Sequence, residues 1–172
     1  MARPTPTGKE RTFGENEIIV SKTDPKGRLT YVNDVFCRVG LYSEAELIGE
    51  PHSIVRHPDM PRCIFALLWQ RIQSGREIFA YVKNMAKNGD HYWVLAHVTP
   101  SYDGDGAIDG YHSNRRVPDR KALAAVEPLY RDLLATENAQ PDRKAGMAAA
   151  GAQLEALLRD KGKSYDEFVF SL

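Results

Sequence analysis

Short β-branched and apolar runs at Glu17-Ile18-Ile19-Val20-Ser21 and Arg28-Leu29-Thr30-Tyr31-Val32 flank the turn sequence Asp24-Pro25-Lys26-Gly27, a pattern that predicts an opening β-hairpin. Asn33 then stands at a cap position before a short helix through Phe36 and Val39 that stops at Gly40, and Ser43-Glu44-Ala45-Glu46 is a capping box for another. Ile64-Phe65-Ala66-Leu67-Leu68-Trp69 is apolar around most of a helix circumference, so that helix is expected to be buried on more than one side and to end at Gly75. From 76 to 87 the period becomes two: Ile78, Ala80, Val82 and Asn84 share one face, and Phe79, Tyr81, Lys83 and Met85 the other. Asn88-Gly89 signals a tight hairpin into a strand from Asp90 to Pro100, with Tyr92, Val94, Ala96 and Val98 on one face. Gly104-Asp105-Gly106 introduces a last strand, Ala107 to Val117, whose Ile108, Gly110, His112 and Asn114 are assigned to the inward face. The expected order is β-β-α-α-α-α-β-β-β.

After Pro118 the spacing of Leu123, Val126, Leu129, Tyr130, Leu133 and Leu134 is helical, with Pro128 expected to force a kink or restart. Pro141 and Gly146 flank a looser stretch, and an amphipathic piece follows through Leu154, Leu157 and Leu158. The apolar end Phe168-Val169-Phe170 is expected to dock on its own domain or on a partner, since a free apolar end is a sticky patch. Residues 1–14, rich in Pro, Thr, Gly and charge, read as a mobile arm or cap. The division expected is therefore an arm at 1–14, one domain at 15–117 and a helical extension at 118–172.

Composition narrows the chemistry. Lys+Arg and Asp+Glu both number 23 in 172 residues, so no cationic surplus exists to bind nucleic acid. Cys37 and Cys63 lack the spacing of a metal or redox pair and read as packing thiols of a reducing compartment. No apolar run approaches the ~20 residues of a membrane helix, and the first residues lack a signal-peptide core, so a cytoplasmic chain without membrane insertion is expected. There is no Gly-x-Ser-x-Gly elbow, no His-Glu-x-x-His, no Lys-bearing phosphate loop and no obvious carboxylate pair, which argues against an enzyme.

The densest chemistry lies in Pro51-His52-Ser53-Ile54-Val55-Arg56-His57-Pro58-Asp59-Met60-Pro61. Three prolines in eleven residues break any continuous helix: a short turn starts at Pro51, Pro58 pushes His57 out of α conformation, and Asp59 is placed to cap the next helix. Rigidity is thus spent on aiming Arg56 and His57, a cation and an imidazole at a helix break beside an apolar helix, which is how the polar wall of a ligand pocket is built.

Tyr31-Val32-Asn33, Phe36, Gly40, Tyr42-Ser43, Glu46-Leu47-Ile48-Gly49, Asn88-Gly89 and Tyr92-Trp93-Val94 resemble the PAS sensor domain in residue type and spacing. Within that family, Pro51-His52, Val55-Arg56-His57-Pro58-Asp59-Met60-Pro61, Val82-Lys83-Asn84, Lys87 to Val94 and Ala125-Val126-Glu127-Pro128-Leu129-Tyr130 are similar to the sensing domain of aerotaxis transducers. The resemblance covers about residues 15–135. It implies an α+β PAS fold: a five-stranded antiparallel sheet with short helices on one side, followed by C-terminal helices. It further implies non-covalently bound FAD, with FMN as the alternative flavin, whose redox state reports oxygen or respiratory status to a signalling protein, a chemoreceptor or a kinase pathway component. A homodimer is a further expectation. The segment that carries an Asn-Cys-Arg motif in flavin photoreceptors reads Val55-Arg56-His57 here, so cysteine adduct photochemistry is not expected.

A flavin ring needs flat apolar walls and a few amide or cationic groups along one edge. Asn84, the polar member of an apolar strand face, is the candidate for that edge, and Arg56 and His57 for the ring edge or the phosphates. Asn33 and Asp59 are helix caps that could also shape the pocket, and His52 is a weaker polar candidate. Phe65, Trp69 and Tyr92 are core residues or cavity walls. His112 is placed to take a proton as the ring takes an electron. Two other readings keep the fold: a haem gas sensor with His57 or His112 as axial ligand, and a cofactor-free module for dimerisation or protein interaction.

Overall fold

The computed structural model describes residues 4–172. Five strands form one antiparallel sheet: β1 Ile19–Thr23, β2 Leu29–Val32, β3 Ile78–Met85, β4 His91–Tyr102 and β5 Ile108–Arg116, in the order β2-β1-β5-β4-β3. Each sequential hairpin pairs locally, and β5 closes the sheet by lying between β1 and β4, with Ser21 opposite Ser113 and Ala96 opposite Arg115. Between β2 and β3 the chain crosses one face through α1 Asp34–Gly40, α2 Glu44–Leu47, a 3-10 turn His52–Val55, and α3 Arg62–Gln73. Asn33 caps α1 by accepting from the Phe36 amide, and its side chain also accepts from Val20 N and donates to Ile18 O, which ties the helix to β1.

The helix after the proline-framed stretch starts differently from the expectation. Pro61, not Asp59, occupies the N-cap of α3, and it supplies no side-chain cap; Asp59 instead pairs with Lys83 at 2.8 Å. The lysine ammonium gives the carboxylate a full opposite charge in place of the backbone amide that a cap position would have offered.

The extension forms α4 Arg120–Asn138, α5 Arg143–Asp160 and α6 Tyr165–Phe170. Pro128 does not restart α4, which runs unbroken from Arg120 to Asn138: Pro128 and Ala124, whose carbonyl loses its helical partner, are both on the exposed side, where water can replace the bond. The other side of α4, with Leu123, Val126, Tyr130 and Leu133, is buried, each fully buried aliphatic contributing about 1.5–3 kcal/mol. It covers the sheet face opposite the short helices: Tyr130 packs on Trp93 at 6.1 Å and donates from its hydroxyl to Tyr81 O at 2.7 Å. Helix α5 packs on α3 and α4, and α6 on the edge strand β3, with Phe168 and Val169 buried. Gly146 lies inside α5, where a Cβ would sit 2.4 Å from Glu137 O; the glycine permits close helix packing instead of marking a loose stretch.

The arm is not free over its described length. Thr7 N donates to Gly89 O, His91 N to Lys9 O and Arg11 N to His91 O, at 2.7–3.0 Å. The physical reason is register: β5 ends opposite Leu95, so the start of β4 has an unpaired edge that the arm fills. Residues 1–3 of the expected arm lie outside the described residues.

Candidate functional site

A cavity of about 250 Å3 separates the helix-side face of the sheet from α3. Its sheet wall is built by alternation: Ser21 and Thr23 from β1, Tyr111, Ser113 and Arg115 from β5, Ala96 and Val98 from β4, and Val82 and Asn84 from β3. Its helix wall is Phe65, Leu68, Trp69 and Ile72, one stripe of α3 at helical spacing. The rim comes from the β1–β2 turn and the 3-10 turn, with Lys26, Gly27, Pro51, His52, Ser53 and Arg56. Trp69 is held edge-on to Tyr111 at 5.5 Å, and the Arg56 guanidinium lies 4.1 Å above the Phe65 ring. Gly27, at φ +80°, lets the turn pass Trp69, since a Cβ there would fall 2.9 Å from the indole.

Two polar groups on the wall have capacity to spare. Asn84 is 3% exposed, and its Nδ2 has no hydrogen-bond partner among the described residues. Arg115 is 2% exposed; its Nη2 donates to Ser21 Oγ and its Nη1 to His52 Nε2, while Nε has no partner among the described residues. None of the ion pairs among the described residues includes Arg115. Its guanidinium sits 4.7 Å from the Phe36 ring. Burial lowers its pKa to about 10, so it stays charged at neutral pH. Burial, and then the Arg115 charge, lowers the His52 pKa to about 3, so that imidazole is neutral and offers Nε2 as an acceptor. A buried cation without a carboxylate costs several kcal/mol, which an anionic or strongly accepting ligand in the cavity would offset.

Five of the residues singled out from sequence line this cavity: His52, Arg56, Phe65, Trp69 and Asn84. The others stand elsewhere. Asn33 spends its side chain on β1 and α1. His57 is buried outside the cavity lining, accepting at Nδ1 from Asp59 N and meeting His91 edge-on at 5.9 Å. Asp59 borders a separate cleft with Lys83, Trp93, Glu127, Tyr130, Arg131 and Leu134. Tyr92 pairs with Asn84 in register and is fully buried, with its hydroxyl unpartnered among the described residues and its pKa raised by burial. His112 requires a correction: it lies on the opposite face of β5, paired in register with Lys22 and Thr99, and the inward face is Tyr111, Ser113 and Arg115. The signal for that inversion was present in β1. Ile19 is the buried apolar residue whose face Ser21 shares, and the register places Arg115 and Ser113 beside them.

The chain is 41% identical over 132 residues to the aerotaxis receptor of Escherichia coli (strain K12), covering 77% of this chain and 26% of that protein. It is 28% identical over 99 residues to a nitrogen fixation regulatory protein of Klebsiella pneumoniae, covering 58% and 20%. It is 31% identical over 88 residues to the biofilm dispersion protein BdlA of Pseudomonas aeruginosa, covering 49% and 21%. The chain thus spans about a quarter or less of the length of these relatives. Among solved structures, a light-oxygen-voltage domain superposes with a TM-score of 0.56 at 17% identity, covering 67% of this chain and 87% of that one. The dark structure of the blue-light photoreceptor Aureochrome1 LOV superposes with a TM-score of 0.54 at 21% identity, covering 70% and 83%. These superpositions show a shared fold. The PAS fold model matches residues 29–114, from the second strand through β5, and the chain belongs to the PAS fold family.

Proposed function

We propose that this PAS domain is a redox sensor that binds a flavin, FAD in particular, in the cavity between the sheet and α3, and passes the redox state to a signalling partner of the chemotaxis type. The observation that carries the reading is Arg115, a buried charged guanidinium on the cavity wall that has, among the described residues, no carboxylate partner and an Nε to spare. Asn84 adds a buried amide donor without a partner among the described residues, and Trp69, Leu68, Ile72, Val82 and Val98 give flat apolar walls. These residues fit an aromatic ring system with hydrogen-bonding groups along one edge. Lys26 and Arg56 on the rim supply the positive charge that flavin phosphates need, which favours the nucleotide forms over riboflavin.

A bound flavin supplies a ring that takes up electrons and gains negative charge as it does. The protein's part is electrostatic and steric. Arg115 holds a fixed positive charge against the cavity, His52 stays neutral and orients it, and α3 closes the apolar side against water. The similarity to the aerotaxis receptor supports the signalling role, and a homodimer and a chemoreceptor or kinase-pathway partner are part of the proposal. A haem reading is less well supported, because His57 and His112 do not line the cavity and His52 Nε2 is engaged by Arg115 and Ser21. Titration of the ligand-free chain with riboflavin, FMN and FAD, followed by quenching of flavin fluorescence, tests the reading. Affinity is expected to rise in that order; equal, weak affinity for all three would refute the nucleotide assignment.

A further inference from the structure

Helix α3 has two sides. One carries Phe65, Leu68, Trp69 and Ile72 into the cavity wall; the other is tied at both ends to the C-terminal extension. At the first end the cap is missing locally, because Pro61 offers no side-chain acceptor to the free amides of the first turn. Glu137 of α4 takes that place from 74 residues away: its Oε1 accepts from Cys63 N at 2.8 Å, and Arg62 Nε lies 3.9 Å from Oε2. The Glu137 side chain is fully buried, a position justified by the amide and the positive helix end it faces. Burial, and then the neighbouring Glu137 carboxylate, pushes the adjacent Cys63 thiol up to about 12. At the other end Arg71 donates to Asp166 Oδ2 of α6 at 2.6 Å, 95 residues away, with its guanidinium 5.7 Å from the Tyr165 ring. Tyr165 lies beside Tyr130, whose hydroxyl donates to Tyr81 O at 2.7 Å on β3, the strand that carries Val82 and Asn84.

We propose that α4–α6 form a strap that grips α3 at Glu137 and at Asp166–Tyr165, so that α6 senses what occupies the cavity through the position of α3. Filling the cavity fixes α3 and tightens α6, and emptying it loosens both. Thermodynamic reciprocity requires the converse, that a strap with one tie removed weakens ligand binding. The ligand in this scheme rests on the flavin reading; the strap itself does not.

The test is amide hydrogen exchange on the whole chain, read at α3, α6 and, as a reference, β1–β2. In the ligand-free protein, Arg71→Ala is expected to speed exchange at α6 and α3 together by about tenfold, the ratio a charge-assisted hydrogen bond supports, with Arg71→Lys restoring part of it. Leu68→Ala disturbs α3 from the cavity side and is expected to speed α6 exchange in the same way. Added FAD is expected to slow α6 in the wild type, and Arg71→Ala to lose that slowing while keeping its flavin spectrum. Loosening of α6 with α3 unchanged, or no response of α6 to Leu68→Ala, would overturn the strap. Protection of α3 by FAD without protection of α6 would overturn it too. A chain that binds no FAD would sink the flavin reading, while the two ligand-free comparisons still decide the strap.

Discussion

Arg115 Nη1 stands 3.0 Å from His52 Nε2, a cation donating to an imidazole that must stay neutral for the bond to exist. The unfolded chain binds a proton there near 6.5 and the folded chain only near 3, so between those values the unfolded state holds more protons and stability rises with pH. The contribution is complete above the unfolded value and is lost as pH falls toward the folded one. Urea unfolding at about pH 7 and about pH 5 is expected to show a loss of roughly 1–2 kcal/mol on acidification, and His52→Asn is expected to shrink that difference. An unchanged pH slope in the variant would remove His52 as its cause.

Arg115→Met separates stability from ligand chemistry. A buried charge exchanged for an apolar side chain of similar length is often neutral or stabilising, so the ligand-free variant is expected to unfold at the same or higher urea concentration. Its bound flavin is expected to be harder to reduce. One cation at ~4 Å and an effective dielectric of ~20 contributes at most about 4 kcal/mol, on the order of 150 mV for one electron. Spectroelectrochemical titration of wild type and variant checks the shift, and an identical midpoint would leave Arg115 a structural residue.

Asn84→Ala removes from the cavity wall the amide whose Nδ2 has no partner among the described residues, with little change expected in the sheet. Flavin affinity is expected to fall about tenfold or more, the loss of one or two hydrogen bonds to a buried ligand edge, while the thermal midpoint of the ligand-free chain moves little. Fluorescence titration and a thermal melt provide both numbers.

Gly27→Ala combines a φ of +80° with a Cβ 2.9 Å from Trp69. It is expected to destabilise the fold by more than about 1 kcal/mol and to displace the indole, which a change in tryptophan emission would report. A variant as stable as wild type with unaltered emission would show that the turn relaxes without touching the cavity.

Much of this was legible in the sequence, and the reasons for the rest are physical. The hairpins at Asp24-Pro25-Lys26-Gly27 and Asn88-Gly89 and the Asn33 cap depend on residues close in sequence, and each stands where local chemistry puts it. So does the face bearing Val82 and Asn84, because Ile78, Ala80 and Val82 recur on it at a period of two and are all buried. β5 has no such contrast: Tyr111, Ser113 and Arg115 on one side and Gly110, His112 and Asn114 on the other are equally mixed. Only its registers with its two neighbours orient it: Ser113 lies opposite Ser21 of β1, about 90 residues away, and Arg115 opposite Ala96 of β4 across a hairpin whose register shifts at Ser101/Tyr102, which a period-two count along β5 does not show. Arg115 was missed for that reason. The cap of α3 was misassigned to Asp59 because its real acceptor, Glu137, comes from another helix, and no local motif encodes a tertiary contact of that length.

The absorption spectrum of the purified chain, recorded before and after dithionite with the released chromophore identified by chromatography, bears most directly on the central claim. A flavin spectrum that bleaches on reduction, with FAD released on denaturation, is the predicted result. A colourless protein that also fails to take up added FAD would contradict it and leave the cavity to a different ligand.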